Sequence, residues 1–277
     1  MPTPVPRRRR GGTGLAAAAA GLALVLSGCA SGTGSSPPRP LAAEPGAGAS
    51  PAELAKPVDV TTTTRAPAGP VHFSSGPLAA WARGGVELFA APDPGRRSGT
   101  YPARTLWGGP SVFLVKQALR DGDGIVWLQV LVPRRPNGGK AWVKGAGFLV
   151  APLHNRVVVD LSSRRLTLFR DDKAVRSFVV AVGATATPTP LGDFFITVKL
   201  QPPAISKVYG DWALGLSGYS NVLDQFGTGD GQIAVHGTRG TWALGQAVSN
   251  GCIRMANSDI TALAKVAPPG TPVTVVA

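Results

Sequence analysis

Gln232-Ile233-Ala234-Val235-His236-Gly237-Thr238 and Ser249-Asn250-Gly251-Cys252-Ile253-Arg254-Met255 decide both the fold and the chemistry of this chain. In the first stretch apolar residues alternate, which is the pattern of a β-strand: Ile233 and Val235 turn to one face, Ala234 and His236 to the other. His236 therefore need not be a core residue, and a strand ending before Gly237 sets its imidazole at a sheet edge beside a flexible turn. Cys252 follows 16 residues after His236. A thiol with an ordinary pKa of about 8.5 is only a few per cent ionised at neutral pH, so a nucleophilic cysteine needs a base or a positive charge beside it. His236 can be that base. No acidic side chain stands near the motif, so a backbone carbonyl, that of Gly237, is expected to fix the imidazole tautomer. Gly251 lacks a Cβ and permits backbone conformations that aim its own N–H and that of Cys252 at one point, the requirement of an oxyanion hole.

Other readings of these residues stand beside the catalytic one. The chain has two cysteines, Cys29 and Cys252, so Cys252 is a reactive thiol, a buried free cysteine, or half of a disulfide with Cys29 that would abolish the nucleophile. A histidine bonded to backbone is the ordinary alternative for His236 taken alone, and a surface salt bridge for Arg254.

Outward from the two stretches, residues 151–277 read as strands throughout. Val157 to Asp160, Arg165 to Phe169, Ser177 to Val182, Phe194 to Lys199, Trp212 to Leu216 and Gln232 to His236 are β-branched or aromatic runs bounded by turn residues. Asn257-Ser258-Asp259 can cap a short helix through about Val266, and Val273 to Val276 closes the chain as a strand. The segment from about Val71 to Val150 shows shorter strands, Val86 to Phe89, Val112 to Val115, Trp127 to Leu131 and Ala141 to Val143, separated by Pro-Asp-Pro-Gly and Pro-Asn-Gly turns. Trp81, Trp107, Trp127 and Trp142 are expected as packing or as an aromatic binding surface. The fold class is mostly β: a small barrel over 71–150, then a β-sandwich or barrel over 151–277 with one or two short helices.

Residues 1–28 have the form of an export leader, with basic Arg7 to Arg10 followed by apolar Leu15 to Leu26. Leu26-Ser27-Gly28-Cys29 resembles the lipobox of bacterial lipoproteins, which would make Cys29 a lipidated first residue at the outer face of the cytoplasmic membrane. Residues 29–70, rich in Pro, Gly, Ser, Ala and Thr, read as a disordered tether. Of the net charge of +13, Arg7 to Arg10 supply four, which leaves +9 beyond the leader. An exported basic protein is expected to meet an anionic wall or membrane rather than nucleic acid. Zinc is excluded on ligand count, since His72, His154 and His236 with one cysteine make no ligand spacing, and no metal or cofactor is expected.

His236-Gly237-Thr238 followed by Ser249 to Met255 resembles the signature of the YkuD-type L,D-transpeptidases, cysteine enzymes that crosslink bacterial peptidoglycan. Val182-Gly183, Thr187 to Phe194, and Ala213 to Tyr219 are similar to further blocks of that family, and the likeness covers roughly Asn155 to Ala277. Many members carry a second histidine where this chain has Asn250. Trp127 to Val143 is similar to the bacterial SH3-like modules found ahead of such domains. The resemblance implies Cys252 as nucleophile, His236 as base, an oxyanion hole at Gly251 and Cys252, and peptidoglycan stem peptides as partners. Arg254, Ser249, Asn250 and Tyr219 are the candidate substrate contacts, Arg254 also favouring thiolate through its charge. The implied reaction joins two tetrapeptide stems through their third residues, with D-alanine leaving. Hydrolysis of the same thioester, as in an L,D-carboxypeptidase, and a lipid-anchored wall-binding protein with an inactive catalytic domain are the alternatives. A papain-like endopeptidase places its cysteine before its histidine, the reverse of the order here.

Overall fold

Apolar residues recurring at every second position give one dry face to each strand, and sheets form where those faces can be buried together. The structure, a computed structural model, describes residues 57–58, 60, 68–72, 76–201, 207–226 and 229–277. The leader, Cys29 and most of the expected tether lie outside the described residues.

The first sheet is made of β1 (Gly69–Pro70), β2 (Leu78–Ala82), β3 (Val86–Phe89), β4 (Arg97–Tyr101), β5 (Val112–Arg120), β6 (Val126–Leu131), β7 (Lys140–Lys144) and β8 (Phe148–Pro152). Its order is β4-β3-β7-β6-β5-β2-β8, with β1 paired to β5. The second contains β9 (Asn155–Asp160), β10 (Arg165–Arg170), β11 (Lys173–Val179), β13 (Gly192–Leu200), β14 (Ala213–Tyr219), β15 (Gln232–Thr238), β17 (Ile253–Ala256) and β18 (Pro272–Val276). Its order is β11-β10-β9-β18-β13-β14-β15-β17, and a small parallel pair of β12 (Val182–Gly183) with β16 (Ala247–Ser249) lies beside it. One α-helix, α1 (Asn257–Val266), follows β17 and presses Ile260, Leu263 and Ala264 into the second core. The mostly β architecture expected from the strand patterns is what the chain adopts.

Three strands of the first sheet carry no alternation to read. All five residues of β2 are buried, β4 is polar along its length, and β8 has apolar side chains on both faces. The tether expected to reach residue 70 instead gives Val58 to a bridge with Val150, buries Val60 in the core of the first sheet, and supplies β1. Trp81, Trp127 and Trp142 are packed inside, so the aromatic surface considered for the four tryptophans does not form; Trp107 alone of them is exposed.

A separate cluster joins the two sheets. Phe195 of β13, wholly buried, clusters with Ala79, Trp81, Val112 and Leu131 of the first sheet and with Leu153 just after it. Because this contact is shared, shaving Phe195 opens a cavity between the sheets. Phe195→Ala is expected to cost about 3–5 kcal/mol in urea denaturation and to leave a single transition, since either sheet loses packing when the other departs.

Candidate functional site

β15 lies inside its sheet, antiparallel to β14 and parallel to β17, with Val235 paired to Ile253 and His236 to Arg254. Ile233, Val235, Ile253 and Met255 are buried in the second core. Alternation therefore sends Ala234, His236, Cys252 and Arg254 to the opposite face. One step back from the Val235 and Ile253 pair sets Cys252 beside Ala234, whose N–H faces the sulfur. Two residues of rise and one strand spacing then separate the Cα atoms of His236 and Cys252 by about 8 Å, within reach of two side chains on the same face.

The expected sheet-edge histidine is not found. β15 continues through Gly237 and Thr238, β17 pairs along its outer side, and His236 is only 2% exposed, with the Tyr209 ring packed edge-to-face on it at 5.1 Å. Nδ1 of His236 stands 2.8 Å from the Gly237 carbonyl oxygen. A carbonyl only accepts, so Nδ1 carries the proton and Nε2 offers its lone pair. Burial pushes the His236 pKa down to about 4, opposed by the Gly237 bond and helped by the charge of Arg254. Burial likewise raises the Cys252 pKa, while the Ala234 N–H and Arg254 pull it down in part. Cys252 is a free, partly buried thiol. At neutral pH the pair thus rests as thiol and imidazole, so attack by this sulfur would require its proton to pass to the imidazole as the new bond forms.

The loop ahead of Cys252 is held from inside. Ser249, expected at the mouth, is 1% exposed; its Oγ donates to the Cys252 carbonyl at 2.5 Å and accepts the Gly251 N–H at 3.1 Å. That N–H is therefore spent, and among the described residues the Cys252 N–H has no acceptor. Gly251 takes φ +110°, and a Cβ there would come within 2.9 Å of Ile233. Asn250 alone of the loop projects outward.

Two threonines missed as site residues complete the bracing. Thr189, buried, accepts the Gly183 N–H at 2.9 Å and donates to the Gly251 carbonyl at 2.8 Å, while Thr187 donates to the Ser249 carbonyl at 3.0 Å. Their spacing of two between prolines was the available signal, since residues two apart in extended chain share a face. Tyr209 had no signal at all. The helix cap also differs: Ala256 is the N-cap and makes no side-chain bond, and Asn257 instead accepts the Asp211 N–H.

Tyr219 is not brought to the thiol. It pairs with Gln232 at the end of β14 remote from Ala213, which is the partner of His236. There its hydroxyl donates to the Pro133 carbonyl at 3.3 Å, its N–H donates to the Asn137 side chain, and Arg135 lies over its ring. Arg135 further donates to the carbonyls of Ser220, Leu223 and Asp230, so Tyr219 belongs to a seam between the two halves of the chain. Arg254 stays at the site: its backbone bonds Ala181 on the side away from β15, and among the described residues its guanidinium has no partner.

Residues 154–275 match the profile of the YkuD family, described as the L,D-transpeptidase catalytic domain. A Bacillus licheniformis protein that goes by the name L,D-transpeptidase YkuD is 33% identical over 155 residues, which span 53% of this chain and 85% of that protein. The L,D-transpeptidase YqjB named in Bacillus subtilis is 37% identical over 121 residues, 42% of this chain and 67% of the other. Among solved structures, an L,D-transpeptidase from Mycobacterium smegmatis superposes with a TM-score of 0.39 at 15% identity, over 55% of this chain and 91% of that one.

The buried imidazole makes stability depend on pH. Its folded pKa of about 4 lies below the ordinary 6.5, so the unfolded chain binds the extra proton first as pH falls. The stability loss starts near 6.5 and is complete near 4, worth about 3 kcal/mol. Urea denaturation at pH 7 and pH 4 should show His236→Asn losing less stability than the parent by that amount.

Proposed function

Because the chain belongs to the YkuD family of L,D-transpeptidase catalytic domains, we propose that Cys252 and His236 transfer an acyl group between peptidoglycan stem peptides. The observation that carries this is the parallel register that turns the thiol, the imidazole and a cation without a partner among the described residues to one face. Nε2 of His236 takes the thiol proton as Sγ of Cys252 attacks the carbonyl carbon that follows the third residue of a tetrapeptide stem. The carbonyl oxygen becomes an oxyanion against the Cys252 N–H, which has no acceptor among the described residues. The imidazolium then gives its proton to the leaving nitrogen, D-alanine departs, and a thioester remains. The side-chain amine of a second stem attacks that thioester, its proton passes to His236, and the sulfur leaves to be reprotonated. A bond between two third residues is the product.

Arg254 is the contact for a stem carboxylate in this reading, a charge-assisted bond worth about 1.5–3 kcal/mol. Asn250 faces the approaching substrate from the loop apex. The proposal includes export and a lipid anchor at Cys29, supported by the basic and apolar runs of the leader and by Leu26 to Cys29. It also includes the anionic wall as the setting of a basic chain.

Cys252→Ala should abolish crosslinks between third residues when muropeptides are analysed in a strain lacking related enzymes. Unchanged crosslinks there would sink the reading, as would a soluble form that gains no carbapenem mass and makes no product from a tetrapeptide. A tripeptide released without crosslinked product would replace transfer by hydrolysis. Arg254→Met should raise KM for the tetrapeptide by on the order of tenfold or more, with a smaller change in kcat.

A further inference from the structure

The turn Lys207–Tyr209 delivers an aromatic ring onto the histidine from outside the strands that carry the reactive pair. The rings of Tyr209 and His236 meet edge-to-face, with centroids 5.1 Å apart and planes at 76°. The segment that follows is fastened residue by residue. Gly210, at φ +62°, leaves no room for a Cβ, which would lie 2.6 Å from the Gly237 carbonyl carbon. The Asp211 N–H donates to Asn257 at 3.2 Å, and the Trp212 carbonyl accepts the Gly237 N–H at 3.0 Å. The residue after Tyr209 is therefore pressed against the backbone that also supplies the Nδ1 acceptor of His236. Its phenol sits within electrostatic reach of the sulfur: burial first, then a charge on Cys252, raises its pKa.

We propose that Tyr209 is a positioning residue, its ring holding the His236 imidazole in the orientation set by the Gly237 carbonyl and closing the site to water above it. The inference rests on the reading in which His236 serves Cys252 as base. An imidazole held only by its Nδ1 bond can still tilt about that bond. A ring packed edge-to-face removes the tilt. The same ring is part of the burial that is the largest cause of the low proton affinity of His236. Among the described residues, the charged or titratable groups that face the imidazole are Cys252 and Arg254 from the β17 side and Tyr209 from the turn.

Two measurements on the whole chain test this. Without the ring, water reaches the imidazole, its proton affinity climbs back toward 6.5, and an imidazolium forms closer to neutral pH, where it attracts the thiolate. In Tyr209→Ala the inflection of Cys252 alkylation by iodoacetamide should then move to lower pH, while acyl transfer from a tetrapeptide stem to an amine falls by on the order of 100-fold. Tyr209→Phe, which keeps the ring, should restore both. Tyr209→Leu keeps apolar volume without a ring; it replaces the alanine variant if that one fails to fold by circular dichroism and should share its two defects. Alanine or leucine variants with parental turnover and parental alkylation would overturn the inference. So would a phenylalanine variant as impaired as they are, since the acting group would then be the hydroxyl. Alkylation needs no stem peptide, so a parent protein without transferase activity but with the expected alkylation shift would sink the proposed function and leave this inference standing.

Discussion

The parallel pairing of β15 with β17 is the constraint from which the site follows. A slip of one residue in that pairing would carry Cys252 and Arg254 into the core and turn Ile253 and Met255 outward. Ile253 and Met255 have no exposed surface, and a fully buried side chain of this kind contributes about 1.5–3 kcal/mol. The hydrophobic face thus holds a register whose chemical consequence appears on the other face. Helix α1 reinforces it by packing Ile260 and Leu263 beneath the same strands.

A register sets which side chains meet, and the loop before the nucleophile sets how. Between Ser249 and Cys252 the polar groups turned inward are matched one against another: Ser249 spans the turn, Thr187 and Thr189 take its carbonyls, and Gly251 relieves the crowding against Ile233. With the Gly251 N–H consumed internally, the Cys252 N–H, without an acceptor among the described residues, is the donor left over for the oxyanion of the proposed reaction. A donor fixed by surrounding bonds needs no reorientation when charge appears, which is the source of its value in a dry site.

The elements legible in the sequence were those whose signal is local. Alternation in 232–236 gave that strand, and the tautomer partner was sought in the backbone because no carboxylate was near; the Gly237 carbonyl does stand at Nδ1. Misreadings arose where a neighbour distant in sequence decides the outcome. His236 looked able to sit at an edge because nothing in 232–238 announces that β17 will pair beside it or that Tyr209 will cover it. Ser249 and Tyr219 are polar residues near the motifs, yet one is consumed by its own turn and the other by Pro133 and Asn137 of the first sheet. Strand β2 was invisible because burial on both faces leaves no period to read.

The part played by Arg254 follows from the sign of its effects. Its charge lowers the proton affinity of Cys252 and of His236 alike. Proton transfer from thiol to imidazole depends on the difference between the two affinities, so a cation that moves both in one direction does little to drive it. Favouring thiolate, the role expected of Arg254 from the sequence, is thus offset by the weakening of the base. What the guanidinium does offer is a charge without a partner among the described residues, partly buried, on the face where the proposed substrate would approach. Leaving such a group unpaired costs solvation that a carboxylate ligand can return. In the proposed reading the arrangement separates two tasks: the neutral pair would carry the proton chemistry, with burial keeping the thiol protonated until a carbonyl arrives, and Arg254 would choose the substrate that brings that carbonyl.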